Sequence, residues 1–186
     1  MPNMFYKSLY LLDLHELQQD FISAFVLPDY KDSILYYPKD GFIFATRSKP
    51  IKNCLQLLNI TLTDMLGVAI IAIDAGMSIP VHIDEGNYTY SLNIPIRGYN
   101  NTYTKFYKTN SLPTTAGRET GRLYAKWMIE ECEEIDCFES TMPYLMNTSI
   151  PHSVENKSKL TRIFLLLRIK NSSNSKIMVG AQRIEL

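Results

Sequence analysis

Of the three histidines in this 186-residue chain, two stand in strand-like hexamers, Ile79-Pro80-Val81-His82-Ile83-Asp84 and Ile150-Pro151-His152-Ser153-Val154-Glu155. His82 and Asp84 are two positions apart, so on a strand both side chains leave the same face. An imidazole and a carboxylate are thereby set side by side, and His152 offers a second imidazole. Two histidines and one carboxylate form the facial triad that holds non-haem iron(II) and leaves coordination positions open for small ligands. Arg162 follows His152 by ten positions. If Asn156-Lys157-Ser158 is a three-residue hairpin loop, His152 and Arg162 face each other on adjacent strands. A bidentate guanidinium suits a carboxylate, so an oxoacid chelating the metal at one end is held by Arg162 at the other.

The elements that must carry these residues fall into two parts. From Asp13 to Phe25, Leu14, Leu17, Phe21, Ala24 and Phe25 recur at helical spacing, with Asp13 as N-cap and Pro28 beyond the end. A second helix is expected from Pro50, through Leu55, Leu58 and Leu62. After Gly67 the chain turns to short runs rich in Val, Ile, Tyr, Phe and Thr. They span 68–73, 79–83, 88–96, 102–107, 123–129, 144–147, 150–155 and 161–169, separated by Gly, Asn, Pro and Ser. Strands so spaced predict a sandwich or barrel. Residues 109–121 read as a long loop suited to a lid at the barrel mouth, and 170–176 as a surface turn before a last short strand.

With 46% hydrophobic residues, the chain suffices for one core and is short for two domains. One domain, 1–186, is expected, with 1–66 as helical support and 67–186 as the barrel. Nineteen basic residues balance nineteen acidic ones, which gives no general attraction to nucleic acid or anionic membranes. The apolar runs are too short for a membrane span, and no signal segment is visible. Cys54, Cys132 and Cys137 complete no zinc pattern and read as free thiols in a reducing cytoplasm. Oligomeric state is not readable.

Other polar residues have plainer readings. His15 belongs to a helix surface, and Glu85 points away from Asp84. The acidic run from Glu130 to Asp136 is a solvated turn without calcium-loop spacing. Arg97 is either a solvated strand end or a substrate contact. Trp127, Tyr88, Tyr90 and Tyr103 belong to core or barrel wall.

Taken together, His-X-Asp at 82–84, the distal His152 and the basic Arg162 resemble the iron(II) and 2-oxoglutarate dependent oxygenase superfamily, in particular its prolyl hydroxylase-like and aspartyl/asparaginyl hydroxylase-like branches. The flanking segments 91–96 and 146–156 look like the strands beside the site in such proteins. The resemblance covers about residues 67–169 and implies a double-stranded β-helix, the jelly-roll or cupin-like barrel. It further implies iron(II) on His82, Asp84 and His152, 2-oxoglutarate anchored by Arg162 with Asn93 as a contact, and dioxygen as oxidant. The activity implied is hydroxylation of an amino acid, a peptidyl side chain or another small metabolite. Phe164 stands where many members carry Ser or Thr, so another polar group must help hold the distal carboxylate. A cupin-like binding protein without turnover and a cupin-type metalloenzyme that uses no 2-oxoglutarate are the alternatives, and the second has no need for Arg162.

Overall fold

A computed structural model describes residues 5–11, 13–25, 34–85, 88–119 and 122–170. The last strand expected after 170–176 lies outside the described residues. The N-terminal third contributes β1 (Tyr6–Ser8), α1 (Leu14–Ala24), β2 (Ile34–Tyr36), α2 (Gly41–Arg47) and α3 (Lys49–Leu57). Then follow β3 (Met65–Ile73), β4 (Ser78–Glu85), β5 (Tyr88–Arg97), β6 (Thr102–Thr109), β7 (Thr115–Glu119) and β8 (Arg122–Lys126). The chain closes with β9 (Cys132–Glu139), β10 (Tyr144–Asn147), β11 (His152–Asn156) and β12 (Arg162–Lys170).

Two six-stranded antiparallel sheets result, in the orders β1-β10-β5-β12-β3-β2 and β7-β8-β4-β11-β6-β9. The connections β3 to β4, β5 to β6, β9 to β10 and β11 to β12 each cross from one sheet to the other. That alternation is the double-stranded β-helix, and both sheets turn one face inward.

Side-chain alternation sorts the two faces. On β12, Ile163, Leu165, Leu167 and Ile169 join the large apolar cluster that contains Leu17 and Phe21 of α1 and Ile51 and Leu55 of α3. This is the outer face, covered by the helices. Arg162, Phe164, Leu166 and Arg168 take the opposite, inward face. Phe106 and Tyr144 meet Phe164 there. A strand covered on both sides must be apolar nearly throughout, which explains the run Ile163 to Leu167.

The helices follow from their stripes and caps. Leu17 and Phe21, four residues apart, are fully buried, and each such burial contributes roughly 1.5–3 kcal/mol. Phe21→Ala would cost about 3–5 kcal/mol. The Gln18 amide donates to the Pro95 carbonyl at 2.9 Å and ties α1 to β5. Asp13 occupies the N-cap position of α1 but makes no side-chain cap bond. Ser48 caps α3, accepting from the Ile51 amide, and Pro50 sits in the first turn, as its fixed φ favours.

Several expectations are corrected. The stretch 109–121 is not one loop, because residues 115–119 form β7 and pair with β8. The acidic run is mostly strand: β9 pairs along the whole of β6, with its acidic side chains largely exposed. The N-terminal third is not purely helical, since β1 and β2 extend the edges of one sheet, and α2 precedes the expected second helix. No helix among the described residues is long and apolar enough to cross a membrane.

Candidate metal centre

His82 and His152 are direct cross-strand partners on β4 and β11. Such partners share a face, and their ring centroids are 4.4 Å apart. Asp84 is next on that face of β4, its Oδ1 3.7 Å from His82 Nε2. One ligand atom from each of His82, Asp84 and His152 lies within 4.8 Å of the others, the one metal-capable cluster among the described residues. The Asp84 amide donates to the Thr148 carbonyl at 3.0 Å, which fixes β4 against the approach to β11.

Hydrogen bonds set the imidazole tautomers. His82 Nδ1 lies 2.8 Å from the Pro80 carbonyl and His152 Nδ1 2.8 Å from the Ile150 carbonyl. A carbonyl only accepts, so each Nδ1 carries the proton and each Nε2 presents its lone pair. This is how outer contacts prepare histidines for a metal. Burial, reinforced by the neighbouring His82, pushes the His152 imidazole down to about 4. It is therefore neutral at physiological pH, the form that can ligate.

Arg162 is not where the hairpin reading places it. β12 pairs with β3 and β5, whereas β11 pairs with β4 and β6, so His152 and Arg162 stand on opposing sheets. The connection is longer than three residues because Asn156 builds its own turn. Its side-chain oxygen accepts from the Ser158 amide and hydroxyl, while its Nδ2 donates to the carbonyls of Ile73, Asp74 and Leu160. Arg162 nevertheless points inward, from the wall facing the histidines.

Arg162 is 2% exposed, and its Nη2 donates to the Tyr144 hydroxyl at 3.2 Å. Nε and Nη1 are buried without a hydrogen-bond partner. The guanidinium carbon lies 3.9 Å from the centre of the Phe164 ring, so that position supplies a stacking platform instead of a hydroxyl. Burial lowers the Arg162 pKa, partly offset by Tyr144, yet a guanidinium stays charged. From Tyr144 the polar chain continues to Thr104 at 3.2 Å and on to Ser140 at 2.9 Å. Sequence patterns did not flag Tyr144, Thr104 or Ser140. They meet through the packing of β10 against β6 and the end of β9 across the two sheets.

Asn93 is buried on the same inward face, between Tyr144 and Leu166, and its amide donates to the Ser91 carbonyl at 3.2 Å. His15 is exposed, as expected. Arg97 lines a surface cleft with Lys159 and Thr161, at the end of the barrel where β12 begins. The side chain of Glu85 lies outside the described residues.

A prolyl-4-hydroxylase from Pseudomonas putida superposes on this chain with a TM-score of 0.48 at 8% identity, covering 91% of this chain and 94% of that one. AviO1 from Streptomyces viridochromogenes gives 0.49 at 10% identity, over 91% and 90%. EvdO2 from Micromonospora carbonacea, in a structure complexed with 2-oxoglutarate, gives 0.48 at 10% identity, over 87% and 82%. No protein-family model matches the sequence, and no curated protein does. The strand order and the His-Asp-His cluster are those implied by the resemblance to 2-oxoglutarate dependent oxygenases.

The donor set fits iron(II): two neutral imidazoles and one carboxylate gathered on one side leave room for further ligands. The orphaned Arg162 nitrogens fit a dicarboxylate cosubstrate, because an isolated buried cation is costly unless something pairs with it.

Proposed function

We propose that this protein is an iron(II) and 2-oxoglutarate dependent dioxygenase that hydroxylates an amino acid, a peptidyl side chain or another small metabolite. The observation that carries the reading is the buried Arg162 guanidinium, two of whose nitrogens lack partners, facing the interior that also holds the His82, Asp84 and His152 cluster. A metalloenzyme that used no 2-oxoglutarate would have no use for a cation held in that way.

His82 Nε2, His152 Nε2 and an Asp84 oxygen would hold the iron. With dioxygen, iron(II) and 2-oxoglutarate supply an oxidative decarboxylation, giving succinate, carbon dioxide and one oxygen atom for a substrate C–H bond.

The remaining work belongs to the chain. Arg162 and the Tyr144 hydroxyl bind the distal carboxylate of 2-oxoglutarate, and Phe164 holds the guanidinium plane against its ring. Thr104 and Ser140 orient the Tyr144 hydroxyl. Asn93 lines the wall between Tyr144 and Leu166, where it contacts the cosubstrate. The carbonyls of Pro80 and Ile150 keep both Nδ1 protons in place, so both Nε2 atoms stay available. Phe106, Phe138 and Phe164 exclude water from the interior, which strengthens the charge pairing at Arg162.

The test is succinate formation by the purified protein with iron(II), dioxygen and 2-oxoglutarate, across free amino acids and peptides. Substrate-stimulated succinate that disappears on omitting iron or replacing Asp84 by Ala is expected. A protein that loads iron but never converts 2-oxoglutarate would refute the reading and leave the cupin-like alternatives.

A further inference from the structure

Two cations outside the proposed cosubstrate site lie on the inward faces of β8 and β12. Lys126 on β8 is the direct cross-strand partner of His82 and therefore shares its face, with such neighbours about 5 Å apart. Ala125 and Trp127, on either side of it, turn to the other face and pack with Val81. Arg168 lies on the inward face of β12, 8% exposed, with its guanidinium 4.9 Å from the ring centre of Tyr37.

Strand register sets the height of Arg168. The turn from Asp74 to Met77 joins β3 to β4, and Gly67 and Asp84 each stand seven residues from its nearer end. They are therefore level on opposing walls, and Arg168 pairs with Gly67. Arg168 thus stands at the height of Asp84. Arg162, six residues earlier on the same strand, is about 20 Å away, too far for one five-carbon diacid to touch both.

Access points the same way. On the side of β1, β9 and β10 the interior is packed with aromatic rings, Tyr6 on Phe138 at 3.8 Å and Phe5 on Phe106 at 5.4 Å. His152 is buried there, whereas the side chain of His82 is 15% exposed and that of Asp84 35%. Exposure rises from His152 on β11 to His82 on β4 and then along β4 to Asp84. Across from it, Leu35 and Tyr37 are 42% and 44% exposed beside β3. The more exposed approach to the cluster lies on the Asp84 side, where β8 carries Lys126 beside His82.

We infer that the primary substrate carries a carboxylate, received between Lys126 and Arg168 with Tyr37 as an adjoining apolar wall. The inference rests on the proposed oxygenase function and names its substrate class. Both cations also make contacts within the protein, which the substrate carboxylate joins. Guanidinium and ammonium on two walls suit a carboxylate that must be fixed while a neighbouring C–H bond is turned to the metal.

The test uses the full chain loaded with iron(II) and 2-oxoglutarate. Its probes are free L-amino acids, their carboxamides, and N-acetylated, C-amidated pentapeptides centred on Asp, Glu, Asn or Gln. Succinate formation is measured for each, and calorimetry of the manganese-loaded, 2-oxoglutarate-bound protein reads binding without turnover. At least one free acid or acidic peptide is expected to stimulate and bind, and its uncharged counterpart to do neither. The free-acid and peptide arms separate the two sources of the carboxylate. Arg168→Gln and Lys126→Gln should each raise the half-saturating concentration of that probe roughly tenfold to a hundredfold, and that of 2-oxoglutarate less than twofold. Arg168→Lys should recover part of the loss, which a merely misfolded Arg168→Gln protein would not explain. Equal responses to acids and carboxamides, or no carboxylate that binds a protein turning over 2-oxoglutarate, would overturn the inference and leave the proposed function standing. Absence of any iron-dependent conversion of 2-oxoglutarate would remove both.

Discussion

His82 and His152 face each other across β4 and β11 with ring centroids 4.4 Å apart, and each donates its Nδ1 proton to the carbonyl two residues before it. The pair is set to ligate through Nε2, and Asp84 completes the cluster from the more exposed side. A consequence is that His152 resists protonation in the metal-free protein.

Burial and the neighbouring His82 hold the His152 imidazole at about 4, whereas in an unfolded chain a histidine titrates near 6.5. Between those values the unfolded state binds the extra proton, so stability rises with pH. The metal-free protein is expected to lose on the order of 3 kcal/mol from this residue as pH falls from about 6.5 to about 4, and nothing further below. Denaturant titrations at several pH values check this. His152→Asn should flatten that part of the profile, and an unchanged slope would assign it to other groups.

Asp84→Ala removes a partly exposed ligand and little packing. The wild-type protein should gain about 5–10 °C in Tm from manganese(II) at a hundredfold excess over its Kd. The variant should lose that gain and keep its metal-free Tm within about 2 °C. Unfolding of the metal-free variant would instead make Asp84 a structural residue.

Arg162 is expected to cost stability while no ligand faces it. Replacing a buried, incompletely paired cation by an apolar side chain is neutral or stabilising by about 1–4 kcal/mol. Arg162→Met should therefore unfold at equal or higher urea than the wild type without 2-oxoglutarate, and lose the stabilisation that 2-oxoglutarate gives the metal-loaded wild type. Strong destabilisation of the variant would show that Arg162 is already satisfied within the fold.

Gly98 bears on Arg162 from the neighbouring strand connection. Its φ is +64°, and a Cβ there would collide with the Thr161 carbonyl, next to Arg162. Gly98→Ala should cost about 2–4 kcal/mol and raise the half-saturating concentration of 2-oxoglutarate while metal binding persists. Thermal melts and a cosubstrate titration read the two effects separately.

The triad was legible in sequence because a two-residue spacing on a strand fixes a common face whatever the fold around it. Eight of the twelve strands were legible for a related reason: their β-branched and aromatic runs are bounded by turn residues. The partner strand of Arg162 was not, since the choice between a hairpin and a crossing to the other sheet rests on the Asn156 side chain, which binds three carbonyls from two segments. β9 escaped notice because its acidic side chains face water, so it buries too few apolar residues to show a strand pattern. Tyr144 and Thr104 sit on separate strands and Ser140 just past the end of β9, and no local spacing connects them. Lys126 becomes a neighbour of His82 only through the register of β8 on β4.

The most direct measurement is a calorimetric titration of 2-oxoglutarate into the manganese-loaded protein under anaerobic conditions, with wild type and Arg162→Leu side by side. The geometry requires binding to the wild type that depends on metal, and a loss of about 2–5 kcal/mol in the variant, roughly thirtyfold to several thousandfold in Kd, with Arg162→Lys in between. Equal affinity in wild type and Arg162→Leu, or no binding to the metal-loaded wild type, would contradict the assignment of this barrel to 2-oxoglutarate chemistry.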